Sequence, residues 1–157
     1  MRPIPTVQCL SLIHQFEGNE GAFEPIRSLD PTGNWEIGWS HKLSGESDPL
    51  WNQTLSAAQA DSLAIADLTT AAIAVTNALP NINMLSDNQY AALIDFTYNE
   101  GVGAFRGSTL CQCVQNNDII GAKAQFGRWI FGTVNGQKVV LPGLVTRRNA
   151  EAALWVQ

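Results

Sequence analysis

Thiol and imidazole are scarce in this chain of 157 residues, which carries three cysteines and two histidines. Cys9, Cys111 and Cys113 are odd in number, and their one Cys-x-Cys pair has no second pair or histidine cluster to complete a zinc site. Reduced thiols packed in helices are expected. With His14 and His41 alone, and no HExxH or GxSxG segment, neither a metal site nor a serine triad has its parts. Gly101-Val-Gly103 follows a helical pattern rather than a strand and lacks a Walker lysine, which argues against a phosphate cradle.

Charge is sparse too. Only 15% of residues are charged and the formal balance is −5, so no global positive field draws the chain to nucleic acid or to an anionic surface. Nucleic-acid binding is not expected, and an anionic polymer substrate calls for a local basic patch. Nothing reaches the ~20 apolar residues of a membrane span. The N-terminal MRPIPTVQCLSLIHQF holds one Arg, two early prolines and no secretory apolar core. The expectation is a soluble cytosolic product that reaches any target beyond the membrane with help.

Hydrophobic residues make up 45% of the sequence, enough for one packed domain with two lobes. Between Pro5 and Gly18, Leu10, Ile13 and Glu17 recur at i, i+3 and i+7, predicting a short amphipathic helix that Gly18 ends. The following stretch is rich in Gly, Pro, Asn, Asp and Ser and predicts turns around a small antiparallel sheet. There Trp35, Ile37 and Trp39 alternate with Glu36, Gly38 and Ser40, which sets the bulky side chains on one face. Ser56-Ala-Ala-Gln59 has the form of a capping box, opening a long Ala-rich helix to about Leu79 with Leu63, Ala66, Ile73 and Ala74 roughly in phase. Ser86-Asp-Asn-Gln89 repeats the cap, and Tyr90, Leu93, Ile94 and Tyr98 supply a buried face. Further helices are predicted at about 108–116, 118–131 and 144–156. The fold class is α+β: a small sheet lobe at about 14–55, a connecting helix at about 56–79 and a helical lobe at about 80–157 that includes the N-terminal helix, with a cleft between the lobes.

Glu17 continues the apolar stripe of its helix, where partial desolvation favours the protonated form that a general acid needs. Asp30 opens Asp-Pro-Thr-Gly, a strong turn signal in its own right. Glu36 sits in a short Trp/Ile strand and faces either solvent or a functional surface. Together the three offer the carboxylates of glycoside hydrolysis, one to protonate the leaving oxygen and another to position water or attack the sugar. Trp35, Trp39 and Trp51 fit stacking on sugar faces and fit a core equally well.

Four blocks in order resemble the phage-type lysozymes, glycoside hydrolase family 24, over nearly the whole chain. These are Phe16-Glu17-Gly18; Asp30 through Trp35-Glu36-Ile-Gly-Trp-Ser-His41; Leu85 through Asp95-Phe-Thr-Tyr-Asn99-Glu-Gly101 to Leu110; and Gly143 through Arg147-Arg148 to Glu151. The resemblance implies a lysozyme-like fold and an endolysin muramidase that cleaves the β-1,4 bond between N-acetylmuramic acid and N-acetylglucosamine for host lysis. Glu17 carries over as general acid and Asp30 as second carboxylate, with Trp39, His41, Asn99 and Arg147 as substrate contacts. Arg147 or Arg148 is expected to reach back to the acid, and at least one of the two to lie on a solvated helix face. No cofactor or metal is implied. The enzyme is expected to act as a monomer on peptidoglycan, held in the host cytoplasm until a holin-type pore admits it to the periplasm and wall.

The chain departs from the pattern twice. Twelve residues separate Glu17 from Asp30, an insertion relative to the family's spacing that brings in Glu20 and Glu24, and Glu36 stands where the family has Thr. A carboxylate at that position can act as base for water, giving inversion, or as nucleophile, giving retention. Two alternatives share the resemblance: a lytic transglycosylase, and a non-catalytic wall-binding or virion protein on the same fold.

Overall fold

The computed structural model describes residues 2–18, 21–30, 33–134 and 136–157. Two compact units emerge: a sheet unit, Leu10–Thr69, and a helical unit, Met1–Cys9 with Thr70–Gln157. Two helices run across the boundaries. The first, α1 (Thr6–Phe16), buries Cys9, Leu12 and Ile13 and exposes Ser11, His14 and Gln15. The second, α2 (Ala57–Ala78), starts at the expected capping box, where the Ser56 N–H donates to Gln59 Oε1 at 2.9 Å and the Gln59 N–H to Ser56 Oγ at 3.4 Å.

In the sheet unit, β1 (Glu24–Leu29), β2 (Trp35–Gly38) and β3 (His41–Lys42) form an antiparallel sheet in that order. Leu29 faces Trp35 and Ser28 faces Glu36, and an irregularity then shifts the register before Glu24 meets Gly38. Across the next turn Glu36 pairs with Lys42 and Ile37 with His41. The alternation is shorter than expected, because the strand stops at Gly38 and Trp39-Ser40 make the turn. Ile37 and Trp39 are buried, whereas Trp35 remains 36% exposed. Gly38 backs onto α2, where a Cβ added to it would lie 3.5 Å from the Ala60 methyl.

The phase read for α2 requires correction. The buried positions are Ala60, Ala64 and Leu68 in the sheet unit and Ala71, Ala72, Ala74 and Val75 in the helical unit, while Ala66 and Ile73 face solvent. Alanine is apolar on every face, so the sequence carried no contrast from which to find the stripe.

The helical unit continues through a 3-10 turn (Ile82–Met84), α3 (Asp87–Glu100), α4 (Val102–Arg106), α5 (Thr109–Gln115), α6 (Ile119–Phe126), the hairpin β4 (Phe131–Val134) and β5 (Gln137–Val140), and α7 (Pro142–Leu154). Ser86 and Gln89 complete the second capping box, and Ser108 and Asp118 cap α5 and α6. Phe96 centres the core, with Trp129 at 5.2 Å, Phe126 at 5.9 Å and Phe105 at 6.5 Å between ring centroids. Such edge-on pairs add about 0.5–1.5 kcal/mol each beyond their burial. The expected helix at 118–131 ends at Phe126, and the hairpin that follows was not anticipated. Cys9, Cys111 and Cys113 are free thiols, and burial, with the Asp95 charge adding to it, pushes Cys9 up to about 12, where it stays un-ionised. No described helix is long and apolar enough to cross a membrane.

Candidate active site

Glu17 is the first residue past α1, its N–H still donating to the Ile13 carbonyl at 2.8 Å. Gly18 then turns the chain at φ 76°, and its N–H donates to Ser40 Oγ at 3.3 Å. A Cβ at Gly18 would run into the Ala22 carbonyl and approach Trp39 Cε3 at 3.2 Å, so glycine is required on both conformational and steric grounds. Ser40 itself holds φ 61°, in the left-handed region. An L-residue is strained there, and the hydroxyl's bond to Gly18 helps offset that strain.

Asp30 and Glu36 meet on one ammonium: Lys42 Nζ donates to Asp30 Oδ2 at 2.5 Å and to Glu36 Oε2 at 2.9 Å. Sheet register sets this up, since β3 places Lys42 directly opposite Glu36. Slight burial acts to lower the Lys42 ammonium, but its bonds to Asp30 and Glu36 and their charges hold it above the usual lysine range. Asp30 is also consumed by its own turn, accepting from the Asn34 backbone at 2.9 Å and the Asn34 side-chain amide at 3.2 Å. Glu36 keeps Oε1 without a hydrogen-bond partner among the described residues. Sequence reasoning missed Lys42. The signal was its place across a short turn from Glu36.

Beside Gly18, Trp39 is 6% exposed, stacked on His14 at 4.5 Å and packed on Phe23 at 5.9 Å. Its indole N–H donates to Asp61 Oδ1 at 2.8 Å, and the same oxygen lies 2.8 Å from His14 Nε2. His41, half-buried, brings Nδ1 to both Asp67 oxygens at 2.8 and 2.9 Å. Glu24 lies on β1, whereas Glu20 falls outside the described residues.

The remaining named residues are in the helical unit. Arg147 forks onto Asp95, with Nε to Oδ2 at 2.9 Å and Nη2 to Oδ1 at 2.8 Å. Arg148 donates to Glu100 at 2.7 Å, Asn99 Oδ1 at 3.0 Å and Glu151 at 2.6 Å. The expected solvated face is corrected: Arg147 is 4% and Arg148 0% exposed, because each has buried carboxylate partners. The same unit holds a cavity of about 450 Å³ lined by Glu100, Ser108, Arg128, Trp129, Phe131 and Lys138, among others. Glu100 is neutralised by Arg148, and among the described residues neither Arg128 nor Lys138 has an acidic partner, so the cavity is cationic. Among the described residues no cluster of three or more His, Cys, Asp or Glu side chains is arranged to hold a metal ion.

The sequence model for phage lysozyme matches residues 15–151. An endolysin of Acyrthosiphon pisum secondary endosymbiont phage 1 is 34% identical over 149 residues, covering 93% of each chain. The endolysin of Bacillus phage PZA is 33% identical across 93% of this chain, which spans 52% of that protein. Among solved structures, the muramidase domain of SpmX from Asticaccaulis excentricus matches with TM-score 0.83 and 30% identity over 100% of this chain and 99% of that one. The endolysin from Escherichia coli O157:H7 phage FAHEc1 matches with TM-score 0.81 and 28% identity over 96% and 91%. The lysozyme-like α+β fold and the carboxylate-bearing sheet unit are accounted for together: this chain belongs to the phage lysozyme family and is a lysozyme-type hydrolase.

Proposed function

We propose that this protein is an endolysin muramidase that cleaves the β-1,4 bond between N-acetylmuramic acid and N-acetylglucosamine in peptidoglycan, with Glu17 as general acid and Glu36 as the base for water. The observation that carries the reading is that Asp30 and Glu36 share the Lys42 ammonium in the same unit that holds Glu17. Glu17 protonates the glycosidic oxygen as the C–O bond breaks. Water, deprotonated by Glu36, adds to the opposite face of the anomeric carbon, which inverts its configuration. Asp30, tied into its turn by Asn34, anchors Lys42 and so sets the rotamer of Glu36.

The chain's formal charge of −5 is a poor match to an anionic wall polymer. The cationic cavity supplies the local exception, and Arg128 and Lys138 are assigned to carboxylates on the polymer's peptide arms. His41 and Asn99 are further substrate contacts in this reading, whereas Arg147 is buried on Asp95 and holds α7 to α3, and Trp39 packs against Gly18, next to Glu17. The protein acts as a monomer and stays in the host cytoplasm until a holin-type pore opens. Lysis on expression without any pore contradicts that route.

Product analysis tests the chemistry. Digested sacculi yield reducing-end muropeptides in mass spectra, with inverted anomers by NMR at early times. Glu36→Gln loses more activity than Asp30→Asn. Anhydro-sugars in place of reducing ends move the assignment to a lytic transglycosylase, and retained anomers make the second carboxylate a nucleophile.

A further inference from the structure

We propose that Asp61 is a positioning residue for Glu17, acting through Trp39 and His14 without touching substrate; the proposal rests on Glu17 as general acid. Asp61 lies on α2, just past its capped start, and one oxygen, Oδ1, is 2.8 Å from both Trp39 Nε1 and His14 Nε2. His14 stands on α1 three residues before Glu17, and its ring stacks on the Trp39 indole at 26° between planes. The indole edge abuts Gly18, and the adjoining Ser40 hydroxyl takes the Gly18 N–H. The Glu17–Gly18 peptide is therefore held from the α1 side through its Ile13 bond and from the turn side through Trp39-Ser40. Among the described residues, Asp61 is the one acceptor that ties both sides to α2. A buried indole N–H keeps its geometry only while an acceptor meets it. Without Asp61 the indole has reason to rotate, and the turn that positions Gly18 moves with it.

A shift of about 1 Å in a catalytic group costs on the order of 100-fold in rate. Asp61→Leu, nearly isosteric but without an acceptor, is expected to lower kcat by about 10- to 100-fold with KM within about twofold. Asp61→Asn keeps an acceptor oxygen for Trp39 and should restore kcat to within a few-fold of wild type. Trp39→Phe, which retains the ring contacts and drops the N–H, should lower kcat alone and make Asp61→Leu nearly silent when combined. All are measured well below each variant's Tm, with Glu17→Gln alongside. An active Glu17→Gln overturns the general-acid reading itself. If Glu17→Gln is dead, the Asp61 proposal is overturned by any of three results: unchanged kcat in Asp61→Leu, equal losses in Asp61→Asn and Asp61→Leu, or additive losses with Trp39→Phe. Should Asp61→Leu fail to fold, Asp61→Asn against Trp39→Phe decides, the expectation being little loss in the first and a kcat loss in the second.

Discussion

Arg147 and Asp95 form a bidentate pair, guanidinium to carboxylate at 2.9 and 2.8 Å, with the two side chains 5% and 2% exposed. This pair joins α7 to α3. Asp95→Ala removes the carboxylate onto which the buried Arg147 forks, at a cost of about 3–5 kcal/mol, and is expected to lower Tm by about 10 °C. Burial acts to raise the Asp95 carboxyl, but the Arg147 charge and hydrogen bonds more than offset it and hold it below the usual carboxylate range. A depressed folded value contributes stability that is present above the unfolded value of 3.8 and lost as pH falls through the folded one. Thermal melts of wild type and Asp95→Ala should therefore converge in strong acid. A constant gap down to low pH contradicts this.

Glu151 behaves in the opposite sense. Burial, with the Asp95 charge beside it, pushes its carboxyl well above the usual range of about 4.5. With Glu151 neutral, Arg147 and Arg148 face Asp95 and Glu100, and the buried cluster carries no net charge. A raised carboxyl contributes stability that is fully present below its unfolded value and lost as pH climbs through the folded one. Glu151→Gln, neutral at every pH and still able to accept from Arg148, should flatten the decline in Tm from pH 5 to pH 8 and be at least as stable as wild type at pH 8. A steeper decline in the variant refutes the neutral form.

Gly18 occupies a left-handed backbone position with the Ala22 carbonyl where a Cβ would go. Gly18→Ala should cost about 1–3 kcal/mol in strain and, by moving the adjoining Glu17, at least about tenfold in kcat. Chemical denaturation and steady-state kinetics check both. Full activity with an unchanged denaturation midpoint means the turn relaxes without consequence.

The cavity cations offer a binding test separable from catalysis. Replacing Arg128 and Lys138 with Gln should raise KM for peptide-bearing wall by about tenfold, roughly 1.4 kcal/mol, with kcat unchanged. Wild-type KM should climb with salt and the double variant's much less, since the contacts are exposed and screened. Equal salt dependence in both places the polymer's acidic groups elsewhere.

Local signals were legible and long-range ones were not. Both capping boxes, at Ser56 and Ser86, were read correctly because every atom involved lies within four residues. The β4–β5 hairpin was missed although Asn135-Gly136 sits between the β-branched pairs Thr133-Val134 and Val139-Val140, a strong hairpin signal. Trp39 was read as a strand residue because alternation alone does not show that Ser40 takes a positive φ and ends β2. The catalytic candidates were visible as residue types in an ordered pattern. Their partners Lys42, Asp61 and Asp67 depended on strand register and on which face of α2 is buried, quantities that a single Ala-rich sequence does not encode locally.

The most direct test is digestion of purified sacculi by wild type and Glu17→Gln, the variant first shown to match wild type in Tm. The account predicts reducing-end muropeptides from wild type and a rate at least about 100-fold lower from Glu17→Gln. A folded Glu17→Gln that releases the same products at a comparable rate contradicts it and moves the general acid to another carboxylate.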